Sequence, residues 1–335
     1  MAILFMDGFE GGLQTDRWSS WLGGPTVSSS YGRYGSLGLR AGDAWSDYMW
    51  KTVTLVDDTL AYSFAINIQT IGDNDSFLRD AFGSGKSLVW LTGNEIGITN
   101  TPSSYQSTNG GFPLSSWHWV EVEVYFHASA GTTKVWLNGT LVIDESALNT
   151  GTRPSTAGAI LGGTQVSHIN DGWYDDYVIS DGAGTYNATR PLGDSVIRAL
   201  VPDGNGNSSD LLGSDADSTD NYLLVDEIPE PDTADYVGSA TEGDKDLYTL
   251  GALPSATAAI LAVQVEQYSQ KTDAGSKYAR TVVRTGAVDY PQTSIALPAS
   301  WAHAQTLLEE NPGTTSAWTP TEVNALEAGF EVRDS

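Results

Sequence analysis

Residues 117–144 read as a strand followed by a two-stranded hairpin, and no other stretch limits the possible folds as strongly. Val120, Val122, Val124 and Phe126 alternate with Trp119, Glu121, Glu123 and Tyr125, the period of two expected of a strand with one packed face. After a turn at Gly131, residues 134–137 and 140–143 flank Asn138-Gly139, a dipeptide that tolerates positive φ at both central positions of a tight hairpin turn. Further β-rich runs at 3–6, 48–55, 60–69, 87–91, 159–161 and 173–179 are separated by turn formers, and no helix-period segment of useful length precedes residue 190. This spacing predicts a sandwich or barrel of short antiparallel strands.

A length of 335 residues predicts two domains at roughly 150 residues each. The turn-rich, weakly anchored residues 186–194 read as a linker between domains at 1–185 and 195–335. The second half predicts strands at 195–201, 258–269, 278–285, 293–297 and 328–332, with 302–309 either a strand or one helical turn. Near its end, Thr319, Pro320 and Glu322 form a capping signature for a short helix. The expected class is therefore all-β, two tandem antiparallel β-sandwiches, the second carrying a short helix.

Charge removes whole classes of partner. With 42 Asp and Glu against 16 Lys and Arg, the net charge is −26, so nucleic acid and anionic membrane surfaces are repelled. The opening residues 1–7 lack a basic leader and read as a first strand, and no apolar run reaches the length of a membrane span. Neither export by signal peptide nor membrane insertion is expected, and synthesis in the cytoplasm is. With no cysteine, disulfides, thiolate metal sites and cysteine nucleophiles are excluded.

Acid is concentrated in one place: residues 202–246 hold thirteen carboxylates and a single base, Lys245. Within it Asp203, Asn205, Asn207 and Asp210 alternate as the oxygen ligands of a calcium loop do, although Ser208 and Ser214 stand where that loop's Gly and bidentate Glu belong. Calcium is the cofactor such a loop would take, and a solvated loop is the plainer alternative. Glu121 and Glu123 share a strand face, as paired glycosidase carboxylates do, but a wet face carrying charge explains them as well. Gly83, Gly85 and Lys86 match only the tail of a phosphate loop, and His118, His127, His168 and His303 have no metal-ligand spacing. Nine of the eleven tryptophans lie in the first half. Trp45, Trp50, Trp173 and Tyr174 are the aromatics that sugar stacking would use, with Asp171, Asp175 and Asp176 around the last two.

The Trp-x-x-Val-x-Val strand and the Lys-Val-Trp-Leu-Asn-Gly-x-Leu-Val hairpin, with 5–10, Arg17-Trp18 and 173–179, resemble the strands of a laminin-G-like or concanavalin A-like jelly roll over residues 1–185. That family implies sugar or protein binding, sometimes through calcium. Residues 192–198, 225–229, 235–248 and 318–332 are similar to segments that follow jelly rolls in virion proteins of tailed bacteriophages. The second resemblance implies a non-enzymatic virion component, tail-associated or fibre-like, that contacts a host surface glycan or other virion proteins. Such components are often homo-oligomers, trimers among them. A capsid decoration or head-fibre protein, a carbohydrate-active enzyme and a free lectin are the alternatives.

Overall fold

The computed structural model describes residues 2–41, 47–71, 75–80, 87–92, 95–100, 105–162, 169–229 and 234–334. Trp45, Gly83, Gly85, Lys86, His168, Glu230 and Asp232 lie outside the described residues. The protein is all-β, with antiparallel pairing throughout the described strands and one short α-helix. None of its described helices is long and apolar enough to cross a membrane. The chain divides into two units, Met1–Arg198 and Ala199–Ser335.

In the first unit, an eight-stranded sheet runs Thr140–Leu148, Gly131–Leu137, Trp117–Tyr125, Thr59–Ile71, Ile169–Asp181, Gly38–Ala41 and Thr26–Ser28, with Ile3–Asp7 also paired to Ile169–Asp181. A seven-stranded sheet runs Tyr105–Gly110, Glu95–Asn100, Ser87–Thr92, Asp75–Asp80, Thr156–Gly162, Tyr48–Thr54 and Ser20–Leu22. Alternation decides which side chains fill the space between them. Leu60, Tyr62, Phe64, Ile66 and Ile68 point inward from one sheet and meet Met49, Val53, Leu78, Ile96, Ile98 and Leu161 from the other in one continuous core. The hairpin turns where expected: Leu137 pairs with Thr140, and Asn138 and Gly139 have φ of 49° and 77°.

The predicted linker is not a free connection. Residues 192–197 are hydrogen-bonded onto the eight-stranded sheet, so the first unit extends to Arg198. Residues 195–201, expected as a strand, form none, and the strand begins at Pro202.

In the second unit, a six-stranded sheet runs Pro202–Ser209, Lys245–Leu250, Glu327–Arg333, Tyr278–Thr285 and Val288–Pro291, with Ile295–Ala296 on Tyr278–Thr285. A two-stranded ribbon, Val263–Ser269 with Ala302–Leu308, packs over it through Val263, Val265 and Leu308 against a core of Val283, Trp318, Val323 and Leu326. The helix Pro320–Asn324 is capped as the sequence predicts. Thr319 N–H donates to Glu322 Oε2 at 2.8 Å, and Glu322 N–H donates to Thr319 Oγ1 at 3.2 Å.

Candidate functional site

The outer face of the eight-stranded sheet carries two neighbouring arrangements, one closed over by the chain itself and one open. The closed part centres on Glu121. Its carboxylate is fully buried and accepts hydrogen bonds from Leu192 N (2.6 Å), Gly193 N (3.0 Å), Trp119 Nε1 (3.0 Å) and Ser63 Oγ (3.4 Å), with the buried Arg190 guanidinium 3.8 Å away. The wet strand face expected there is therefore corrected. Glu121 is sealed and saturated, which removes it as a proton donor or nucleophile for an external substrate. Glu123 sits 3.8 Å from Lys134.

Arg33 continues this arrangement toward Asp194, accepted at 2.6 Å, Asp176 at 3.0 Å and the Ser195 carbonyl at 3.4 Å, while its guanidinium lies 5.8 Å from the Trp119 ring. The hairpin loop that delivers Arg33 is tight, since a Cβ on Gly32 would run into the Ser36 carbonyl. Asp176, at φ 55° beside a bulge, accepts Ile197 N–H at 2.7 Å. Ile197 in turn leaves no room at Gly8, where a Cβ would lie 2.9 Å from the Ile197 Cβ and Cγ2.

Asp175 is held by Arg33 N, Ser36 Oγ and Asp176 N. Burial pushes both Asp175 and Asp176 above the ordinary carboxylate range, and for Asp176 the neighbouring Asp175 charge adds to it. Acids with raised native pKa favour the fold below their unfolded pKa of about 3.9 and withdraw that contribution as pH climbs through the raised values. The stability of the first unit is thus expected to fall between mildly acidic and neutral pH. In Asp175→Asn the pH slope of the melting temperature should shrink whatever its baseline, and an unchanged slope would contradict the assignment.

The open part is a transverse row. Trp117 pairs with Asn67, Asn67 with Trp173, Trp173 with Arg40 and Arg40 with Thr26, and the inward positions of these strands are taken by the core. Tyr31 lies against Trp173 at 5.5 Å between ring centroids, and Arg40 sits 5.8 Å over the Tyr31 ring while donating to Asp171 at 2.8 and 3.3 Å. Asn67 accepts from Gln69 at 2.7 Å. The Trp173 indole N–H is buried without a hydrogen-bond partner among the described residues, a cost of about 1–3 kcal/mol unless something supplies an acceptor.

Of the aromatics picked out in the sequence that lie among the described residues, Trp173 alone belongs to this face. Tyr174, its neighbour, points the other way into the core with no exposed surface, and is corrected from ligand platform to packing. Burial drives its phenol pKa upward. Trp50 lies on the opposite sheet, paired with Ile160 and Ser20 and alternating with the core residues Met49 and Val53, so it shares no site with Trp173. Trp117, Tyr31, Asn67 and Arg40 were missed because cross-strand register, not local sequence, brings them together.

The calcium expectation meets a different geometry. Asp203, Asn205 and Asn207 stand on one exposed side of the edge strand Pro202–Ser209, with Asp210 just beyond it. Same-side positions on a strand are about 6.6 Å apart, whereas calcium draws its oxygens to within about 2.3–2.6 Å of one point. Asp203 accepts from Thr249 Oγ1 and Asn205 donates to Asp220, and among the described residues no three His, Asp or Glu side chains converge.

No family model matches the chain, and no curated protein does. Among solved structures, the chain is similar to domain 4 of AbnA, an extracellular GH43 arabinanase from Geobacillus stearothermophilus solved with arabinotriose, at 12% identity and TM-score 0.38, covering 54% of this chain and 92% of that one. A structure from work on endo-acting O-glycanases of the human gut microbiota is similar at 13% identity and TM-score 0.34, over 53% of this chain and 99% of that one. Trypanosoma rangeli sialidase with the inhibitor DANA is similar at 11% identity and TM-score 0.35, over 47% of this chain and only 27% of the sialidase.

Proposed function

We propose that the first unit is a carbohydrate-binding β-sandwich that receives a glycan on the open half of its eight-stranded sheet, and that the chain is a non-enzymatic, tail-associated component of a bacteriophage virion. One observation carries the binding role: the row Trp117, Asn67, Trp173 and Arg40 sits on a single outer face, with Tyr31 against Trp173. Indole and phenol rings cover the apolar faces of a sugar ring, while the partly exposed Arg40 and Asp171 offer the donors and acceptors that hydroxyl groups need. The sequence resemblance of 192–198, 225–229, 235–248 and 318–332 to phage virion segments supports the particle context.

A glycan array covering neutral and acidic oligosaccharides tests the binding role. Trp173→Ala is expected to lose at least tenfold in affinity, the equivalent of about 1.4 kcal/mol. Trp50→Ala, on the opposite sheet, should bind as the parent does. Equal binding by Trp173→Ala, or no binding by the parent, would reject the site. Immunogold labelling of particles tests the context: label on the tail supports it, label on the head makes the chain a decoration protein, and unlabelled particles sink it.

A further inference from the structure

We infer that the glycan received by the open face is an uncharged linear oligosaccharide of at least three sugar units, bound along its interior and not by one end. This rests on the binding role proposed above, and three observations lead there. The first is spacing. Trp117, Asn67, Trp173, Arg40 and Thr26 stand on five successive strands of the eight-stranded sheet. Hydrogen-bonded strands lie about 4.8 Å apart, so the row crosses about 19 Å of sheet and sets its two tryptophans about 9.6 Å apart. Both tryptophans are partly exposed, and Asn67, between them, keeps 6% of its surface. Ring contacts close at about 4.5–7 Å between centres, so a sugar stacked on Trp173 does not reach Trp117. Covering both takes one unit on each and one over Asn67.

Second, the row is open at both ends. Thr26 is exposed and belongs to the edge strand of the sheet. At the other end the Gly131–Leu137 strand stops with Leu137 opposite Val120, so it does not extend to flank Trp117. A single terminal sugar is held by a concave pocket that buries most of its surface. A row with no strand beyond either end among the described residues instead lets an oligosaccharide enter at one edge and leave at the other.

Third, charge selects the class of sugar. Arg40, the base within the row, is matched by Asp171 at 2.8 and 3.3 Å. Elsewhere on this outer face Arg33 is held by Asp176 and Asp194, Arg190 by Glu121 and Lys134 by Glu123. A carboxylate or sulfate on the sugar would have to compete for one of these pairs while approaching a protein of net charge −26. A hydroxyl group does neither. It accepts from the Arg40 guanidinium and donates to Asp171 with the ion pair left in place.

Calorimetric titration of the full-length protein with linear cello-, xylo-, arabino- and chito-oligosaccharides of increasing length tests the inference. At least one series should gain at least tenfold in affinity between the disaccharide and the tetrasaccharide. Trp117→Ala should lose that gain while its disaccharide affinity stays within about twofold of the parent. Trp117→Phe, which returns a ring to the position, should recover most of it and shows that the loss is not one of folding. A long polymer of the same series should bind as tightly per site as the tetrasaccharide, and oligogalacturonides, with a carboxylate on every unit, at least tenfold more weakly. Affinity that does not grow with length, growth that survives in Trp117→Ala, preference for the acidic series, or binding confined to single terminal sugars overturns this inference and leaves the binding role standing. A parent protein that binds neither these series nor any glycan on the array overturns both.

Discussion

A Glu121→Ala protein is expected to lose roughly 3–5 kcal/mol of stability in its first unit, the usual result of breaking a buried ion pair by removing one partner. The substitution deletes the acceptor for Leu192 N–H, Gly193 N–H and the Trp119 indole, and removes the carboxylate 3.8 Å from the buried Arg190 guanidinium. Each stranded donor adds about 1–3 kcal/mol of desolvation that relaxation only partly recovers. Against a domain stability of about 5–15 kcal/mol, this threatens the unit outright. Tryptophan fluorescence in a urea titration reports on it, since nine of the eleven tryptophans lie in this half. Limited proteolysis should show new cleavage within residues 186–198 before the sheets unfold. Glu121→Gln keeps one acceptor oxygen and should fall between. A Glu121→Ala protein within about 1 kcal/mol of the parent, with 186–198 still resistant, would show that the carboxylate does not hold that segment.

Asp246→Ala should have the largest effect in the second unit, about 3 kcal/mol from the loss of three hydrogen bonds to one buried charge. Asp246 has no exposed surface and accepts Leu211 N–H at 2.8 Å, Asn221 Nδ2 at 2.6 Å and the Tyr248 hydroxyl at 3.0 Å. Burial, with the adjacent Asp246 charge, keeps the Tyr248 phenol protonated and donating. Asn221 also donates to the Leu211 carbonyl, so one acid fixes both ends of residues 211–221. Hydrogen exchange in 211–224 should rise in the variant while the Glu327–Arg333 strand stays protected. Loss of protection across the whole six-stranded sheet, or in neither region, would contradict a local role.

These two carboxylates mark where reading the sequence stops being sufficient. The hairpin around Asn138-Gly139, the capped helix at Thr319 and the inward alternation of Val120, Val122 and Val124 were all legible, because each rests on residues within a few positions of one another. Glu121 also alternates correctly, yet its wet face is dry because residues 190–193, seventy positions downstream, fold back over it. One clue was available: the hairpin register sets Trp136 directly opposite Glu121, and a face flanked by Trp119 and Trp136 is too aromatic to be left to solvent. Asp246 was counted with the solvated acids of 202–246, where only three-dimensional packing separates it from its neighbours. The alternating Asp203, Asn205 and Asn207 formed an edge strand because the same period of two that suggests loop ligands also describes an extended chain. The Trp173 face was half legible, since its partners come from strands separated by about a hundred residues.

The first and last strands of the first unit lie side by side, with Ile3 opposite Ser180 and Asp7 opposite Tyr177. During synthesis, nothing can close that sheet until almost two hundred residues have left the ribosome. Until then the strand Thr59–Ile71 has one side unpaired, and it carries the most apolar run of the unit, Leu60, Tyr62, Phe64, Ile66 and Ile68. Folding is therefore held back to a late, long-range event of the kind that makes high-contact-order β proteins slow. A nascent chain that stalls before residue 169 presents a sticky edge of the sort that recruits chaperones or aggregates.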